Sequence, residues 1–313
     1  MANPILAQLV RGDLVESIYT GRLVMLDADG KIEYSLGDIS QLVYPRSAVK
    51  SVQAAVSLEF GAKLANETAA VAAASHSGSA AHLSYVREIL SEAELTEADL
   101  QTPPDYPLGS YEQREWIAAG KAKQSIAMNC SGKHAAWLNA CVHSGIDPSK
   151  YLDPSNKLQQ RIIESFSELA EEKVSVSSVD GCGGPLHAIS LTGLARMIQQ
   201  AVKAPAGSTL HTIISAVRAY PEAASGVGRD VARFMHAIPG SFLKDGAEGV
   251  EVLALADGRT AAFKFDSGNF LIRHVVSARI FQLWGVNNEL SDELLTKPVL
   301  GGGKPVGSYH AVF

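Results

Sequence analysis

The amino-acid sequence predicts an α/β protein in which the two ends of the chain share one sheet and the middle forms a helical body. Extended, alternating segments lie near both ends, at residues 5–37 and 249–268, whereas residues 62–235 are Ala-rich and have a dominantly helical pattern. Because a sheet must bury a face against other elements, we expect helices to cover it. The crevice between the two parts is then the natural place for a functional site.

Each terminal segment contains a hairpin signal. The segment LVESIYTGRLVMLDADGKIEYSLGD alternates apolar and polar residues and turns at Asp29-Gly30. Near the other end, GVEVLALADGRTAAFKFDSG is predicted to form two strands joined by Asp257-Gly258. We expect a last helix over about residues 270–284, followed by a tail with three consecutive glycines.

The period changes to a helical one directly after the first strands. In PRSAVKSVQAAVSLEFG, Pro45 suits a first helical turn and Gly61 suits a C-terminal stop. The apolar residues at helical spacing are Val49, Val52, Val56 and Phe60. This stretch is therefore predicted to be the first helix.

The chain shows neither an internal repeat nor a low-complexity linker. We therefore expect one unit over residues 1–313. Its sheet-containing part is predicted to combine residues 1–60 with 240–313, and its mainly helical part to cover residues 61–239.

Composition narrows the class of protein. Hydrophobic residues make up 46% of the chain and charged residues 19%, as in ordinary globular proteins. The net charge of −6 argues against nucleic acid and anionic membrane as partners, and no segment has the roughly 20 apolar residues of a membrane helix. MANPILAQLVRGDLVES lacks the basic start of a secretory signal, and the three cysteines have no disulfide-framework spacing. We expect a cytoplasmic protein with reduced thiols.

Ser47 and Lys50 form an S-x-x-K pair at the predicted start of the first helix. Residues three apart share a helix face, so a neutral Lys50 could take the proton of the Ser47 hydroxyl. The positive end of the helix dipole would disfavour the ammonium form. Keeping a lysine neutral at pH 7 costs about 4 to 5 kcal/mol, which only a dry, preorganised pocket can supply.

Spacing alone leaves the opposite interpretation open, namely that the two residues are neighbours without a shared role. The same pattern recurs at Ser241 and Lys244. The K-T-G and S-D-N elements of penicillin-interacting enzymes are absent, which disfavours a classical β-lactamase.

Three glycine-rich stretches carry further candidate residues: ASHSGSAAH (74–82), NCSGKHAAW (129–137) and VDGCGGP (179–185). Glycine permits close approach of the backbone, as a binding site requires. Cys130 and Cys182 have no C-x-x-C partners, so two buried free thiols are the simpler interpretation of them. Cys141 belongs to a helical apolar stripe and is predicted to be structural.

The motifs P-R-S-x-x-K, A-S-H-S, N-C-S-G-K-H and D-G-C-x-x-P, in this order, resemble the Rhizobium-type L-asparaginase family. The resemblance covers most of the chain, from Val10 to the region of Lys244. It implies a fold similar to serine β-lactamases and glutaminases, hydrolysis of L-asparagine to L-aspartate and ammonia, and a homodimer.

The resemblance also assigns roles to individual residues. It implies two Ser-Lys tandems, Ser47 with Lys50 and Ser75 with Lys244. In the mechanism we expect, Ser47 attacks the side-chain amide carbon and Lys50 accepts its proton. Ser75 and Lys244 relay the proton to the leaving ammonia and later help to activate water.

A zinc site close to the active centre is a further implication of the resemblance. Its ligands match Cys130, Lys133 and Cys182, and a lysine ligand requires a neutral amine. The candidate substrate-binding or supporting residues inside the motifs are Arg46, Asn129, His134 and Asp180.

The sequence leaves two alternatives to an asparaginase open. The first is a glutaminase or another amide hydrolase, because one fold hosts several such activities. The second is a non-catalytic relative that binds a metal or an amino acid. Retention of both serines and both lysines argues against the second, since a decayed site should have lost at least one of them.

Overall fold

A computed structural model describes residues 2–286, 290 and 292–313 of the chain. The strands in these residues are β1 (Ile5–Arg11), β2 (Leu14–Leu26), β3 (Ile32–Leu36), β4 (Leu42–Val43), β5 (Val176–Val179), β6 (Pro185–Ser190), β7 (Phe242–Gly246), β8 (Val250–Ala254), β9 (Thr260–Phe265), β10 (Lys297–Gly301) and β11 (Lys304–Ala311). The helices are α1 (Lys50–Glu59), α2 (Asn66–Ala72), α3 (Ala80–Glu92), α4 (Ser110–Ala118), α5 (Ser131–Ser144), α6 (Lys157–Ala170), α7 (Leu191–Val202), α8 (Thr209–Ala219), α9 (Pro221–Ala224), α10 (Asp230–Ala237), α11 (Arg273–Leu283) and α12 (Asp292–Leu295).

One large antiparallel sheet joins the two ends of the chain. Its strands run in the order β10-β11-β1-β2-β9-β8-β7, and β3 pairs with β2 beside this path. The N- and C-terminal segments meet twice, where Ala7 faces Ala311 and where Leu23 faces Phe263. The predicted α/β class, with a sheet built from both ends and a large helical body, is confirmed.

Two features of the sheet structure did not follow from the sequence pattern. The Gly-rich tail forms the hairpin β10–β11, although Pro298 and Pro305 weigh against strands there. Pro298 is tolerated because it lies in the edge strand β10, and Pro305 because it lies at a register shift in β11, outside the residues that pair with β1. A second sheet, in the order β4-β6-β5, also brings two strands into the predicted helical middle. They show no clear alternation, because β5 has only four residues and β6 is buried throughout.

The predicted first helix is confirmed from Lys50 to Glu59, but the prediction that Ser47 lies in the same α-helix is wrong. Residues Arg46–Val49 form a 3₁₀ turn, and α1 begins only at Lys50. Arg46 has a φ of +53°, which a continuous right-handed helix does not allow. The turn packs on β7, so closely that a Cβ on Gly246 would lie 2.7 Å from the Pro45 carbonyl oxygen. Tertiary packing therefore overrides the local helical pattern.

The helices are brought close together by small residues. A Cβ on Gly132 in α5 would lie 2.3 Å from the carbonyl oxygen of Val71 in α2, so only glycine allows this approach. As a result, the segment after α2 meets the segment before α5, and His76 donates its backbone N–H to the Asn129 carbonyl at 3.2 Å. Nowhere in the described residues is a helix long and apolar enough to cross a membrane.

Candidate active site

A cavity of about 730 Å³ opens beside β7. The segments before α1, α5 and α10 and the segment after α2 form part of its walls. Ser47, Ser75 and Asn129 line one side of the cavity, and Arg229 and Asp245 line another part of it. The residues belong to segments far apart in the chain, and each is fixed by a different element. The cavity therefore depends on the complete fold.

The Ser75 hydroxyl lies between two buried lysine amines. Lys50 Nζ is 3.3 Å and Lys244 Nζ is 2.9 Å from Ser75 Oγ. The side chains of both lysines are almost completely buried, since these residues are 1% and 2% exposed. A single hydroxyl can donate to one amine and accept from the other, so the three groups form a short path along which a proton can move.

The other partners of the two amines only accept hydrogen bonds. Lys50 Nζ donates to the Ala74 carbonyl at 2.6 Å, and Lys244 Nζ donates to the Asp245 carbonyl at 2.7 Å and to Asp245 Oδ1 at 2.5 Å. A neutral amine has one lone pair, which must face a donor. Of the partners just named, Ser75 is the one with a proton to give, and the Cys130 thiol is a further neighbour of Lys50, which lowers its pKa. In this geometry Ser75 is therefore the serine within direct reach of both amines.

Burial favours the neutral form of Lys244. It lowers the pKa of this amine to about 8, although Asp245 acts in the opposite direction and Lys50 adds to the lowering. Burial alone would raise the pKa of the Asp245 carboxyl, but Lys244, Arg229 and Arg273 outweigh it and hold that pKa well below the usual range. Asp245 is therefore a carboxylate at every pH at which the protein is expected to work.

Ser47 lines the same cavity but has a different environment. It follows the left-handed residue Arg46, and no hydrogen bond joins its hydroxyl to Lys50 among the residues that the structure describes. Lys50 is turned to Ser75 instead. The structure therefore brings both serines to one cavity and both lysines to one of these serines.

The four predicted substrate-binding residues lie in three different places. Asn129 lines the cavity. Arg46 and Asp180 form an ion pair, with Nε 2.8 Å and a terminal nitrogen 2.7 Å from Asp180 Oδ1. His134 is fully buried, its Nδ1 is 2.8 Å from the Tyr151 hydroxyl, and burial lowers its pKa to about 4. It is a neutral residue of the core beside the site.

The three predicted zinc ligands converge beneath the cavity. Lys133 Nζ lies 3.3 Å from Cys182 Sγ, and Cys130 and Cys182 form one buried cluster with Met128. The hydrogen bond from Cys182 lowers the pKa of the Cys130 thiol most strongly, and Lys50 and Lys133 act in the same direction. Two thiols and an amine are donors that suit zinc. Within the described part of the chain, no three His, Cys, Asp or Glu side chains group together as a metal site, so a metal here would need Lys133.

Cys141 lies apart from this cluster. It is buried and its thiol pKa is raised to about 12, mainly by burial, which agrees with the structural role predicted for it. A thiol that stays protonated does not act as a nucleophile or a metal ligand.

Sequence reasoning missed the charged residues on the far side of the cavity. Arg229, Asp245, Arg273 and Glu251 all line it. Asp245 could have been found from its position directly after Lys244. The others carry no local signal, because only the pairing of β7 with β8 places Glu251 opposite Asp245. Arg229 and Arg273 reach the same cavity from the starts of α10 and α11, outside the sheet.

With this geometry in view, comparison with known proteins identifies the class. The family model of L-asparaginase II matches residues 7–311, almost the entire chain. The protein therefore belongs to the L-asparaginase II family and is an amidohydrolase of the asparaginase type. The resemblance noted in the sequence is confirmed. Comparison with curated proteins gives no match.

Several solved structures are similar at low identity. Mglu in its native form is 14% identical over 87% of this chain, with a TM-score of 0.45, and this chain spans 66% of its length. A β-lactamase from Mycobacterium bovis is 12% identical, with a TM-score of 0.42 and coverage of 84% of this chain and 94% of its own. D-alanine carboxypeptidase AmpC from Burkholderia cenocepacia is 13% identical, with a TM-score of 0.41 and coverage of 85% and 93% respectively.

Glu251 yields a prediction about stability and pH. It is 4% exposed, and burial raises its pKa to about 7 from the model-compound value of 4.5, against the opposing effects of Arg273 and Ser277. Between these two pH values the folded chain holds a proton that the unfolded chain has released. The free energy of unfolding must therefore fall as pH rises through this window, by up to about 3 kcal/mol.

Urea unfolding at pH 5 and pH 8 measures this effect. Glu251→Gln should remove the contribution, so that the variant gains stability relative to the wild type as the pH rises. The exposed Glu115→Gln is the matched control and should keep the wild-type dependence. Equal pH dependence in the wild type and Glu251→Gln would contradict the prediction.

Proposed function

We propose that this protein hydrolyses L-asparagine to L-aspartate and ammonia by a Ser-Lys mechanism. The observation that carries the proposal is the Ser75 hydroxyl between two buried lysine amines, at a cavity that Ser47 also lines. Membership of the L-asparaginase II family supports the choice of an amide substrate. The arrangement supplies a nucleophile, a base and a path for the proton.

In the proposed first half-reaction, Ser47 Oγ attacks the side-chain amide carbon while its proton passes to Lys50. The Lys50–Ser75–Lys244 path then delivers a proton to the nitrogen, the C–N bond breaks and ammonia leaves. In the second half-reaction, the same path takes a proton from water, which attacks the ester and releases L-aspartate. Every proton taken from a nucleophile is returned to a leaving group.

The position of Lys50 makes Ser75 the second candidate nucleophile. Attack by Ser47 requires the Lys50 amine to turn away from Ser75 Oγ, to which it is now bound at 3.3 Å. Attack by Ser75 needs no such movement, because both amines already contact its hydroxyl. Either choice uses the same two lysines and the same cavity.

Asn129 is the best placed of the proposed substrate-binding residues, because its segment lines the cavity beside Ser75. The Arg46–Asp180 pair supports the turn that carries Ser47. His134 is fully buried and would act only by supporting its neighbours.

Zinc is part of the proposal, with Cys130, Lys133 and Cys182 as the residues that would hold it. Two thiolates formally neutralise the ion, so when bound it would orient the substrate and stabilise the loops more than it would polarise a carbonyl. A homodimer and a cytoplasmic location complete the proposal. The first rests on the resemblance and the second on three free, buried cysteines.

Ammonia release from L-asparagine, L-glutamine and a substrate-free blank tests the function. We expect release from L-asparagine, and Lys244→Met should lower kcat by roughly 100- to 10,000-fold because one end of the proton path is lost. Lys31→Met, at an exposed position, should have the wild-type rate. Release from L-glutamine alone would favour the glutaminase alternative, and no release from either would favour a non-catalytic binding protein.

Removal of metal tests the zinc site. Protein purified without chelator should contain zinc, and chelation should raise KM more than it lowers kcat, because the ion is proposed to orient substrate. Cys130→Ser and Cys182→Ser should behave in the same way, whereas Cys141→Ala should not. Full activity without any zinc would remove the cofactor, and loss of kcat at unchanged KM would assign the ion a chemical role.

A further inference from the structure

A single buried carboxylate, that of Asp245, is shared by three cations at the cavity. Its Oδ1 lies 2.5 Å from Lys244 Nζ. Its Oδ2 lies 2.9 Å from a terminal nitrogen of Arg229 and 3.5 Å from one of Arg273. Asp245 is 6% exposed, so water screens these contacts little.

The two arginines are also fixed to the backbone of the Ser-Lys unit. Arg229 donates to the Ser75 carbonyl at 2.9 Å, and Arg273 donates to the Gly246 carbonyl at 2.7 Å. One arginine therefore joins Asp245 to the segment that carries Ser75. The other joins Asp245 to the end of β7, the strand that carries Lys244.

Other charged or titratable groups face this cluster from each element packed against it. Glu251 on β8 faces Asp245 across the strand pair, and its Oε2 lies 3.3 Å from Arg273 Nε. Lys50 shares Ser75 with Lys244. His76 lies next to Ser75, is fully buried and stays neutral because burial lowers its pKa. The other charged or titratable residues that line the cavity are Asp230 on α10, Glu248 after β7, His274 on α11 and Lys297 on β10.

We propose that Asp245 is a positioning residue for Lys244, and that the division of its charge between Lys244, Arg229 and Arg273 decides how readily Lys244 releases a proton. The proposal rests on the proposed function, in which Lys244 must be neutral to accept the Ser75 proton. If Asp245 faced Lys244 alone, the pair would be a simple ion pair and the amine would keep its proton. Arg229 and Arg273 share the negative charge of Asp245, which weakens its attraction for the Lys244 proton. The hydrogen bond between Lys244 and the carboxylate still fixes the orientation of the amine.

This arrangement predicts opposite effects for its anion and its cations. Arg273→Gln leaves more of the Asp245 charge to Lys244, so the amine should hold its proton more tightly. Asp245→Asn removes the anion and leaves the amine among cations, so it should release its proton more easily. A purely structural role would weaken activity in both variants without moving the titration in opposite directions.

The pH profile of kcat/KM measures the first consequence. Its acidic limb should move upward by about one pH unit in Arg273→Gln and downward in Asp245→Asn, while Arg273→Lys, which keeps the charge, should restore the wild-type limb. The matched controls are Arg259→Gln and Asp257→Asn, which break an ion pair of 2.9 Å at the β8–β9 turn outside the cavity. They should leave the limb in place.

Titration of the Lys244 side chain by NMR, with ¹³C at Cε and assignment by Lys244→Arg, measures the second consequence without any need for turnover. Opposite displacement of the Lys244 titration in Arg273→Gln and Asp245→Asn supports the proposal, even for a protein that releases no ammonia. In that case the proposed function fails and the charge sharing stands.

If Asp245→Asn does not fold, Arg273→Gln and Arg229→Gln carry the test, and both must move the titration upward. Unchanged titration in folded variants, or displacement in one common direction, would overturn the proposal.

Discussion

The contact on which the site depends is the pair of hydrogen bonds between one serine hydroxyl and two lysine amines. Two ammonium groups so close together and so deeply buried would repel each other, and their desolvation would be costly. The protein meets this constraint in two ways. Burial lowers the pKa of Lys244 to about 8, and the neighbouring carboxylate of Asp245 offsets the positive charge that remains. A lysine that is partly neutral near physiological pH can act as a base, which an ordinary surface lysine cannot do.

The fold brings these groups together from remote parts of the chain. Lys50 begins α1, Ser75 follows α2, and Lys244 lies 169 residues further on in β7. The close approach is possible because α2 and the residues after it consist largely of buried alanine, which lets neighbouring helices and β7 surround Ser75. The sheet that joins the two chain ends fixes β7, so the second lysine depends on pairing between the first and the last strands.

Much of this could be predicted from the sequence, and the failures have physical causes. Alternation at both ends and the helical middle predicted the α/β class, and the ordered motifs predicted the family and the side of the cavity that Ser47, Ser75 and Asn129 line. The local geometry of Ser47 could not be predicted, because nothing in the neighbouring residues indicates the positive φ of Arg46 or the close packing of this turn on β7. The charged cluster of Arg229, Asp245 and Arg273 was also missed. Its members meet only through tertiary structure, and arginines at such positions look like surface residues in a sequence.

The most direct test of the Ser-Lys mechanism is to identify the acyl-enzyme during turnover. Acid quenching of the protein with saturating L-asparagine, followed by proteolysis and mass spectrometry, would reveal an aspartyl ester on a serine. We predict this ester on the peptide that contains Ser47, and an ester on Ser75 would transfer the role of nucleophile to the serine that both lysines already contact. Turnover of L-asparagine with both serines unmodified at every quench time would contradict a covalent Ser-Lys mechanism.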